Sequence, residues 1–360
     1  MISEIISKKQ FTHGELVYCL NSEGEERRKL FEAAHKAKKD LLGNKVHYRG
    51  LIEYSNICSK NCYYCGIRRD NNKTGRYTIT DEEVIESAMF AYEKGYGSIV
   101  LQAGEISSNV FTQNIEKLIK EILQRCDNRL AITLSLGEQP LETLKRWFDA
   151  GASRYLIRIE TSSRNLYSRL HPNDARHSYD ERLACIGRVR EIGYHVGTGV
   201  MIGLPFQTVG NMADDLLFMK QTDIDMCGMG PFIGHSDTPL SGADPDLMPL
   251  EKRFDLSLKM IALLRLLMPD INIASTTALQ AIDKIGREKG ILAGANIIMP
   301  NITPRKYRND YLLYENKPCT DEDAEDCVNC LETRVSLTGS VIGYHESGDS
   351  KHYRSRMKEE

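Results

Sequence analysis

Eight short apolar runs alternate with helical patterns in the chain between residues 46 and 299. Such runs are typical of strands buried on both faces, and their alternation with helices favours a parallel sheet. Eight strands can close a (β/α)8 barrel of the TIM type, and 360 residues suit one such barrel with extensions. A doubly wound open sheet is the structural alternative. The predicted strands are Val46–Tyr54, Ser98–Gln102, Leu130–Ser135, Arg154–Glu160, His195–Ile202, Met226–Pro231, Ile271–Ser275 and Ala295–Met299.

The same periodicity predicts helices between these strands and before the first of them. Thr80 and Glu83 have the spacing of a capping box, and Gly43 suits the end of a helix. We expect an α/β protein of three regions: an N-terminal helical extension over 1–45, the barrel over 46–310, and a cysteine-containing C-terminal segment over 311–360. The predicted helices are Glu25–Leu42, Asp81–Lys94, Glu116–Gln124, Leu141–Ala150, Asp180–Ile192, Met212–Gln221 and Leu250–Leu267.

Charge and hydropathy exclude several classes of partner. The net charge is −3 and no basic block is present, so electrostatics do not favour a nucleic acid or a membrane surface as partner. The first twenty residues lack the apolar stretch of a signal peptide, and no apolar run is long enough to span a bilayer. We therefore expect a cytoplasmic protein.

Six of the ten cysteines fall into two tight groups. In a large chain without a secretion signal, clustered cysteines are typical of metal ligands rather than of disulfides. The other four are expected to be small buried apolar side chains, and they are Cys19, Cys126, Cys185 and Cys227.

The first group, Cys58, Cys62 and Cys65, has the spacing C-x3-C-x2-C. A zinc site normally needs four ligands, and no fourth cysteine or histidine lies near. Three cysteines on a 4Fe–4S cluster leave one iron open for a small-molecule ligand. S-adenosylmethionine (SAM) binds such an iron through its amino and carboxylate groups, and electron donation then yields a 5′-deoxyadenosyl radical. A zinc loop or reduced structural thiols are the alternatives.

This spacing at the end of the first strand resembles the radical SAM superfamily. The resemblance implies that Gly104 and Glu105 meet the methionyl amine and that Tyr64 lies beside the adenine. Leu204, in a Gly-Leu-Pro segment, would contribute backbone on the adenine side. Polar contacts to the ribose and methionyl groups are implied for Ser135, Glu160 and Arg182.

The second group, Cys319, Cys327 and Cys330, has the spacing C-x7-C-x2-C. It suits an auxiliary iron–sulfur cluster with an open site. Zinc with His345 as a distant fourth ligand is the alternative. The acidic run from Asp321 to Asp326 is typical of a solvated surface, which argues against a catalytic role for this group.

A narrower resemblance rests on IEYSNICSKNCYYCGIRRDN, IVLQAGE, YLIRIETS, GVMIGLPFQT, IASTTAL and ANIIMPNITP together with the C-terminal cysteines. Between Val46 and Cys330 the chain resembles the HydE family of FeFe-hydrogenase maturases. The family implies a closed barrel with an internal cavity and a cysteine-bound Fe(CO)2(CN) precursor as substrate. It also implies a low-potential electron donor and other hydrogenase maturases as partners.

The HydE resemblance extends to individual residues. Arg158 would be a cation near the substrate, since its planar fork suits an anion, and Gln102 would face the reacting region. Hydroxyl and backbone N–H groups that follow the seventh strand would bind an anion, and further side chains would complete the cavity wall. The implied substrate contacts are Arg158, Thr276, Thr277, Ala278, Met299, Tyr311 and Tyr314.

Two other functions fit parts of the pattern. A methylornithine synthase, a radical SAM enzyme that rearranges the amino acid lysine, would need carboxylates placed for two amino groups. A non-catalytic iron–sulfur or zinc protein, acting as a redox sensor or scaffold, would not need Gly104, Glu105, Glu160 and Arg182. The C-terminal cysteines and the Thr276–Ala278 segment favour the HydE family over a methylornithine synthase.

Overall fold

The computed structural model describes residues 1–8 and 10–359, with the backbone alone for 326–329 and 359. Eight parallel strands curl into a barrel in the order β10-β1-β2-β3-β4-β5-β7-β9. The two end strands meet through a parallel bridge between Ala274 and Ile297, and Ser275 donates to the carbonyl of Ile297 at 2.8 Å. These bonds close the ring, so the barrel prediction is confirmed and the open sheet is wrong. The strands are β1 Lys45–Ser55, β2 Ser98–Ala103, β3 Ala131–Ser135, β4 Arg154–Leu156, β5 His195–Thr198, β6 Met201–Ile202, β7 Met226–Cys227, β8 Gly230–Pro231, β9 Asn272–Ile273, β10 Ile297–Ile298 and β11 Val341–Ile342.

In the structure the fourth predicted strand is shorter, the fifth and sixth are divided, and the seventh and eighth are reduced to the two-residue strands β9 and β10. The fourth ends at Leu156, and Glu160, the predicted last residue, has a left-handed backbone with φ +66° that does not fit a strand. The fifth and sixth are interrupted where Gly199 meets Gly228, since a Cβ on Gly199 would lie 1.9 Å from the Gly228 carbonyl oxygen. The segments beyond the interruption pair with each other as β6 and β8, so they lengthen the barrel wall toward its carboxyl end.

The helices cover the outside of the barrel, and most lie where the sequence predicts them. Thr80 and Glu83 form the expected capping box, and Gly43 follows the last residue of the third helix. One helix starts earlier than predicted because Ser108 caps it. The helices are α1 Ile2–Ile6, α2 His13–Leu20, α3 Gly24–Leu42, α4 Asp81–Glu93, α5 Asn109–Arg125, α6 Leu141–Asp149, α7 Arg164–Leu170, a 3-10 turn Ala175–His177, α8 Tyr179–Ile192, α9 Val209–Gln221, α10 Leu250–Leu267, α11 Thr277–Ile282, α12 Gly286–Leu292, α13 Arg305–Arg308, α14 Ala324–Ser336 and α15 Lys351–Glu359.

The core follows from this layering. One continuous apolar cluster joins the outward faces of the strands to the inner faces of the helices, and Cys19, Cys126, Cys185 and Cys227 are buried in it as expected. None of the described helices is both long and apolar enough to cross a membrane.

The C-terminal segment closes the amino-terminal end of the barrel. Strand β11 pairs with the start of β1, and the fully buried Arg154 of β4 donates to the Ser347 carbonyl and to the Asp349 carboxylate. The ring of His195 stacks on Tyr353 of α15 at 3.5 Å between centroids. Because these contacts seal one end, substrate access is restricted to the carboxyl end of the strands, where barrel enzymes place their active sites.

Helix α15 is held to the barrel by His352, whose ring nitrogens lie 2.7 Å from Asp223 and 3.1 Å from Asp270. Hydrogen bonds to Asp270 and Asp223, opposed by burial, raise the pKa of His352 to about 9. A histidine pKa raised above its ordinary value of about 6.5 stabilises the fold fully below that pH. The stabilisation is lost as the pH rises through about 9.

We therefore expect His352→Gln to lower the free energy of unfolding by about 2 kcal/mol at pH 6.5 and by little at pH 10. Urea denaturation followed by circular dichroism at both pH values measures this difference. His13→Gln, at an exposed histidine of α2 that lies 3.4 Å from Asp214, is the control. An equal loss at both pH values for His352→Gln would contradict this assignment.

Candidate active site

The first cysteine group lies on the loop that follows β1, at the carboxyl end of the barrel. Cys62 is 8% exposed, and Cys58 and Cys65 are partly buried. The backbone N–H of Glu105, just after β2, donates to the Cys58 sulfur at 3.3 Å. The loop thus brings its three thiols to the ends of β1 and β2, where sequence reasoning places them.

Burial raises the pKa of all three thiols, to about 12 for Cys62 and well above the ordinary value for Cys65. For Cys65, repulsion between its thiolate and those of Cys62 and Cys58 adds to the effect of burial on the pKa. Three thiolates in this position need a compensating cation, because unpaired buried charges are costly. Metal binding supplies that charge as the thiol protons leave.

Two side chains hold the loop in shape. The guanidinium of Arg76 donates to the loop carbonyls of Asn56, Ile67 and Arg68, and to Arg69 and Asn71 as well. The Asn56 side chain accepts from the backbone of Tyr77 and donates to two further carbonyls. Arg76 thus fixes the backbone of the cysteine loop from one side.

The residues present fit a 4Fe–4S cluster. The described part of the chain places no three His, Cys, Asp or Glu side chains close enough to share one metal ion. A four-iron cluster is wider, because each cysteine binds a different iron. Gly104 keeps the neighbouring space clear, since a Cβ there would lie 2.3 Å from the Ile57 carbonyl oxygen and 2.8 Å from the Cys58 Cβ. Cys58, Cys62 and Cys65 would hold such a cluster and leave one iron for another ligand.

A buried network of four charges lies beside the cysteine loop. Lys60, from the loop itself, lies 3.0 Å from Glu105 and 2.8 Å from Glu138. Arg182 of α8 lies 2.8 Å from Glu138 and 3.7 Å from Glu105. Burial alone would lower the pKa of Lys60, but the two carboxylates outweigh it and raise that pKa. The network joins the loop, the ends of β2 and β3, and α8, and it offers both signs of charge to an amino-acid group such as the methionyl end of SAM.

Tyr64 and Leu204 belong to a separate apolar cluster with Phe232 and Leu166. The Tyr64 hydroxyl lies 3.4 Å from a ring nitrogen of His171. The two residues assigned to the adenine side from the sequence therefore lie in the same apolar cluster, whereas Ser135 is partly exposed at the end of β3 opposite Gln102.

Arg158 and Glu160 form an ion pair after β4, with 3.0 Å between their charged atoms. Arg158 also donates to the Val200 carbonyl at 3.0 Å, and Ile159 between them is fully buried. Burial raises the pKa of Glu160, and Arg158 opposes that shift. The left-handed backbone of Glu160 costs on the order of 1–3 kcal/mol, and strain of this kind is concentrated at functional sites.

Segment 311–319 reaches the same end of the barrel and carries two of the predicted cavity residues. Burial raises the pKa of the Tyr311 hydroxyl, and the side chain of Gln102 on β2 opposes that shift. Lys317 forms an ion pair with the buried Glu53 of β1 and donates to the Tyr311 carbonyl at 2.9 Å. Asn301 donates to the other Glu53 oxygen at 3.1 Å. Lys317 thus fastens the segment to the barrel wall.

Tyr314 and the residues after β9 are further predicted substrate contacts. Burial raises the pKa of Tyr314, and the positive charges of Arg287 and Arg158 oppose that shift. Arg287 of α12 donates to the Thr277 hydroxyl at 2.9 Å. Three further predicted residues have weaker positional support: Thr276 donates to the Met229 carbonyl at 3.3 Å, and Ala278 and Met299 are partly buried.

The second cysteine group begins at Cys319, the last residue of segment 311–319, and continues on α14. Cys319 is partly buried, and its carbonyl accepts from Arg308 at 3.1 Å. Cys330 is exposed on α14. The side chain of Cys327 lies outside the described residues. Asp321, Glu322 and Asp323 are exposed, in agreement with the solvated surface expected for this stretch.

Sequence reasoning missed several residues that shape the site. Lys60 and Glu138 had a signal, because one lies inside the cysteine motif and the other directly follows the third predicted strand. Arg76, Glu53 and Lys317 had none, since their partners are distant in the chain. Arg287 lies in a short helix without a recognisable motif, and only the fold brings it to Thr277.

We expect Arg76→Ala to reduce cluster retention at least threefold, because five loop carbonyls lose their donor while all three cysteines remain. Iron and sulfide content per chain after anaerobic reconstitution and gel filtration measures this. Arg69→Ala, at an arginine paired with Asp70 at the surface, is the matched control and should retain a full complement. Full iron content in Arg76→Ala would show that the loop holds its shape without the guanidinium.

Comparison with known proteins agrees with the geometry. Residues 52–219 match the sequence profile of the radical SAM superfamily. The [FeFe] hydrogenase maturase subunit HydE of Thermotoga maritima is 43% identical over 346 residues, which cover 95% of each chain. The 3-methylornithine synthase of Methanosarcina acetivorans is 28% identical over 82% of this chain and 81% of its own.

A solved structure of one of these related enzymes has a similar fold. The crystal structure of methylornithine synthase (PylB) matches with a TM-score of 0.79 at 24% identity, over 96% of this chain and 97% of that one. Because identity this low shows the fold alone, the assignment rests on the full-length similarity to HydE and on the three-cysteine loop at the carboxyl end of a closed barrel. The chain belongs to the HydE family of the radical SAM superfamily.

Proposed function

We propose that this enzyme uses SAM to act on a cysteine-bound Fe(CO)2(CN) precursor in assembly of the hydrogenase di-iron centre. The observation that carries the proposal is the state of the carboxylates at the carboxyl end of the barrel. Glu53 is bound by Lys317 and Asn301, and Glu160 by Arg158. A substrate with two ammonium groups, such as lysine, would find both carboxylates engaged, whereas an anionic substrate meets Arg158, Arg287 and the Thr277 hydroxyl.

The residues for the cofactor are Cys58, Cys62 and Cys65, and a 4Fe–4S cluster bound there supplies the electron that cleaves SAM to a 5′-deoxyadenosyl radical. Lys60, Glu105, Glu138 and Arg182 would bind and orient the methionyl group, because they present paired charges beside the loop. The apolar cluster of Tyr64 and Leu204 would receive the adenine, and Ser135 would offer a hydroxyl toward the ribose.

On the substrate side, Arg158 would bind an anionic group of the precursor while it holds the Glu160 carboxylate. Gln102 and Tyr311 would limit the space on the β2 side, and Tyr314 and Met299 would limit it on the other. Thr276, Thr277 and Ala278 would supply further polar contacts from the end of β9. The sealed amino-terminal end of the barrel would keep water from reaching the site through that end.

Three further assignments complete the proposal. A low-potential electron donor reduces the cluster, and other hydrogenase maturases supply the precursor and receive the product. Cys319, Cys327 and Cys330 hold an auxiliary iron–sulfur cluster that does not take part in SAM cleavage. The regions 1–45, 46–310 and 311–360 act as extension, catalytic barrel and cluster-bearing segment.

We expect the anaerobically reconstituted enzyme, given SAM and dithionite, to form 5′-deoxyadenosine faster when the synthetic iron–cysteine complex is added. The complex should disappear in parallel with nucleoside formation. Infrared spectroscopy of its carbonyl and cyanide bands measures this loss. Lysine should give no stimulation, because the described carboxylates Glu53 and Glu160 are already paired with Lys317 and Arg158. Conversion of lysine to methylornithine would contradict the proposal, and so would formation of 5′-deoxyadenosine that ignores the complex.

Replacing Cys58 by Ala should lower 5′-deoxyadenosine formation at least 1,000-fold, because the cluster loses a ligand. A rate loss of this size corresponds to an increase of about 4 kcal/mol in the activation free energy. Cys319→Ala should retain at least half of the wild-type rate, since that residue lies outside the charged network and the cysteine loop. Chromatographic quantification of the nucleoside measures both. A Cys319→Ala enzyme as inactive as Cys58→Ala would place the second group in the cleavage chemistry.

A further inference from the structure

We propose that Arg287 is a positioning residue that makes the Thr277 hydroxyl a hydrogen-bond donor to the substrate, so that this subsite accepts an anionic or carbonyl-type acceptor and rejects ammonium groups. The inference rests on the proposed function and deepens it, because it names the side chain that sets the polarity of one substrate contact. The Arg287 guanidinium has an unusual environment.

Arg287 lies on α12, and the residue is 4% exposed. Among the described residues no carboxylate forms an ion pair with it, and its buried Nε has no hydrogen-bond partner. Its one hydrogen bond to a side chain goes from Nη2 to the Thr277 hydroxyl oxygen at 2.9 Å. A buried guanidinium without an acidic partner lowers the stability of the fold, because burying an unpaired charge is unfavourable. Its presence here therefore points to a role other than stabilising the fold.

The direction of that bond determines what Thr277 can do. Arginine only donates, so the Thr277 oxygen must be the acceptor. The single hydroxyl hydrogen of Thr277 therefore points away from the guanidinium, and the described residues offer it no acceptor. A hydroxyl in this state donates readily, because the cation on its oxygen polarises the O–H bond. Its natural partner is a carboxylate, cyanide or metal carbonyl oxygen rather than an ammonium group.

The surroundings support the same polarity. Arg287 is the first charge to act on the neighbouring Tyr314, ahead of Glu53 and Arg158. Glu53 is already bound by Lys317, and Arg158 is paired with Glu160. Among these groups Arg287 is thus the cation without an acidic partner in the described part of the chain. Thr276 cannot replace Thr277 as donor, because its own hydroxyl donates to the Met229 carbonyl at 3.3 Å.

The test is a double-mutant cycle in the reconstituted enzyme with SAM and the synthetic iron–cysteine complex. We expect Arg287→Gln and Thr277→Val each to raise KM for the complex at least tenfold, with kcat changed less than threefold. The double variant should be no worse than either single variant, because both remove the same contact. Thr277→Ser, which keeps the hydroxyl, should stay within threefold of wild type.

Lys289→Gln, which removes an exposed cation from the same helix, is the control and should match wild type. Because Arg287 is buried, circular dichroism and iron content of each variant are measured first. If Arg287→Gln does not fold, the comparison of KM between Thr277→Val and Thr277→Ser still tests the inference.

Independent, multiplicative effects of the two substitutions, or no change of KM in Arg287→Gln or Thr277→Val, would overturn the inference while leaving the proposed function intact. A wild-type enzyme that ignores the complex would remove the proposed function itself, and with it the substrate assigned to this subsite. The two failures are therefore distinguishable.

Discussion

The closed ring of eight parallel strands places every strand end at one of two faces, and the site depends on this constraint. Hydrogen bonds between β9 and β10 close the ring, and the segment around Asp349 seals its amino-terminal face. The loops after β1, β2, β3 and β4 must then meet at the opposite face. Three cysteines, a glycine–glutamate pair and an arginine–glutamate pair, far apart in the chain, become neighbours for this reason.

Buried charge is handled differently at the two parts of the site. Beside the cysteine loop, Lys60 and Arg182 are matched by Glu105 and Glu138, so the network is balanced before any ligand binds. Farther along the barrel end, Arg287 has no acidic partner among the described residues, and its contact is the Thr277 hydroxyl. Balanced charges suit the zwitterionic methionyl group of SAM, whereas excess cationic donors suit an anionic substrate. The two halves of the site thus have different electrostatic character.

The sequence predicts the architecture well because buried parallel strands carry a strong local signal. Eight apolar runs correspond to strands in the structure, and the capping box at Thr80 is present as expected. The predicted end of the fourth strand, Glu160, is wrong. That residue has a left-handed backbone, which no local pattern predicts. The cysteine loop was visible from spacing alone. Arg76, Lys317 and Arg287 were not, because each acts on residues brought near only by the fold.

The central claim is that Cys58, Cys62 and Cys65 hold a cluster whose remaining iron takes SAM as a ligand. Electron–nuclear double resonance on the reduced, reconstituted enzyme tests it most directly, with SAM labelled by nitrogen-15 at the amino group and oxygen-17 at the carboxylate. The account predicts hyperfine coupling of both labels to the cluster spin. A cluster spectrum that shows neither coupling, or a protein that binds only zinc at this loop, would contradict it.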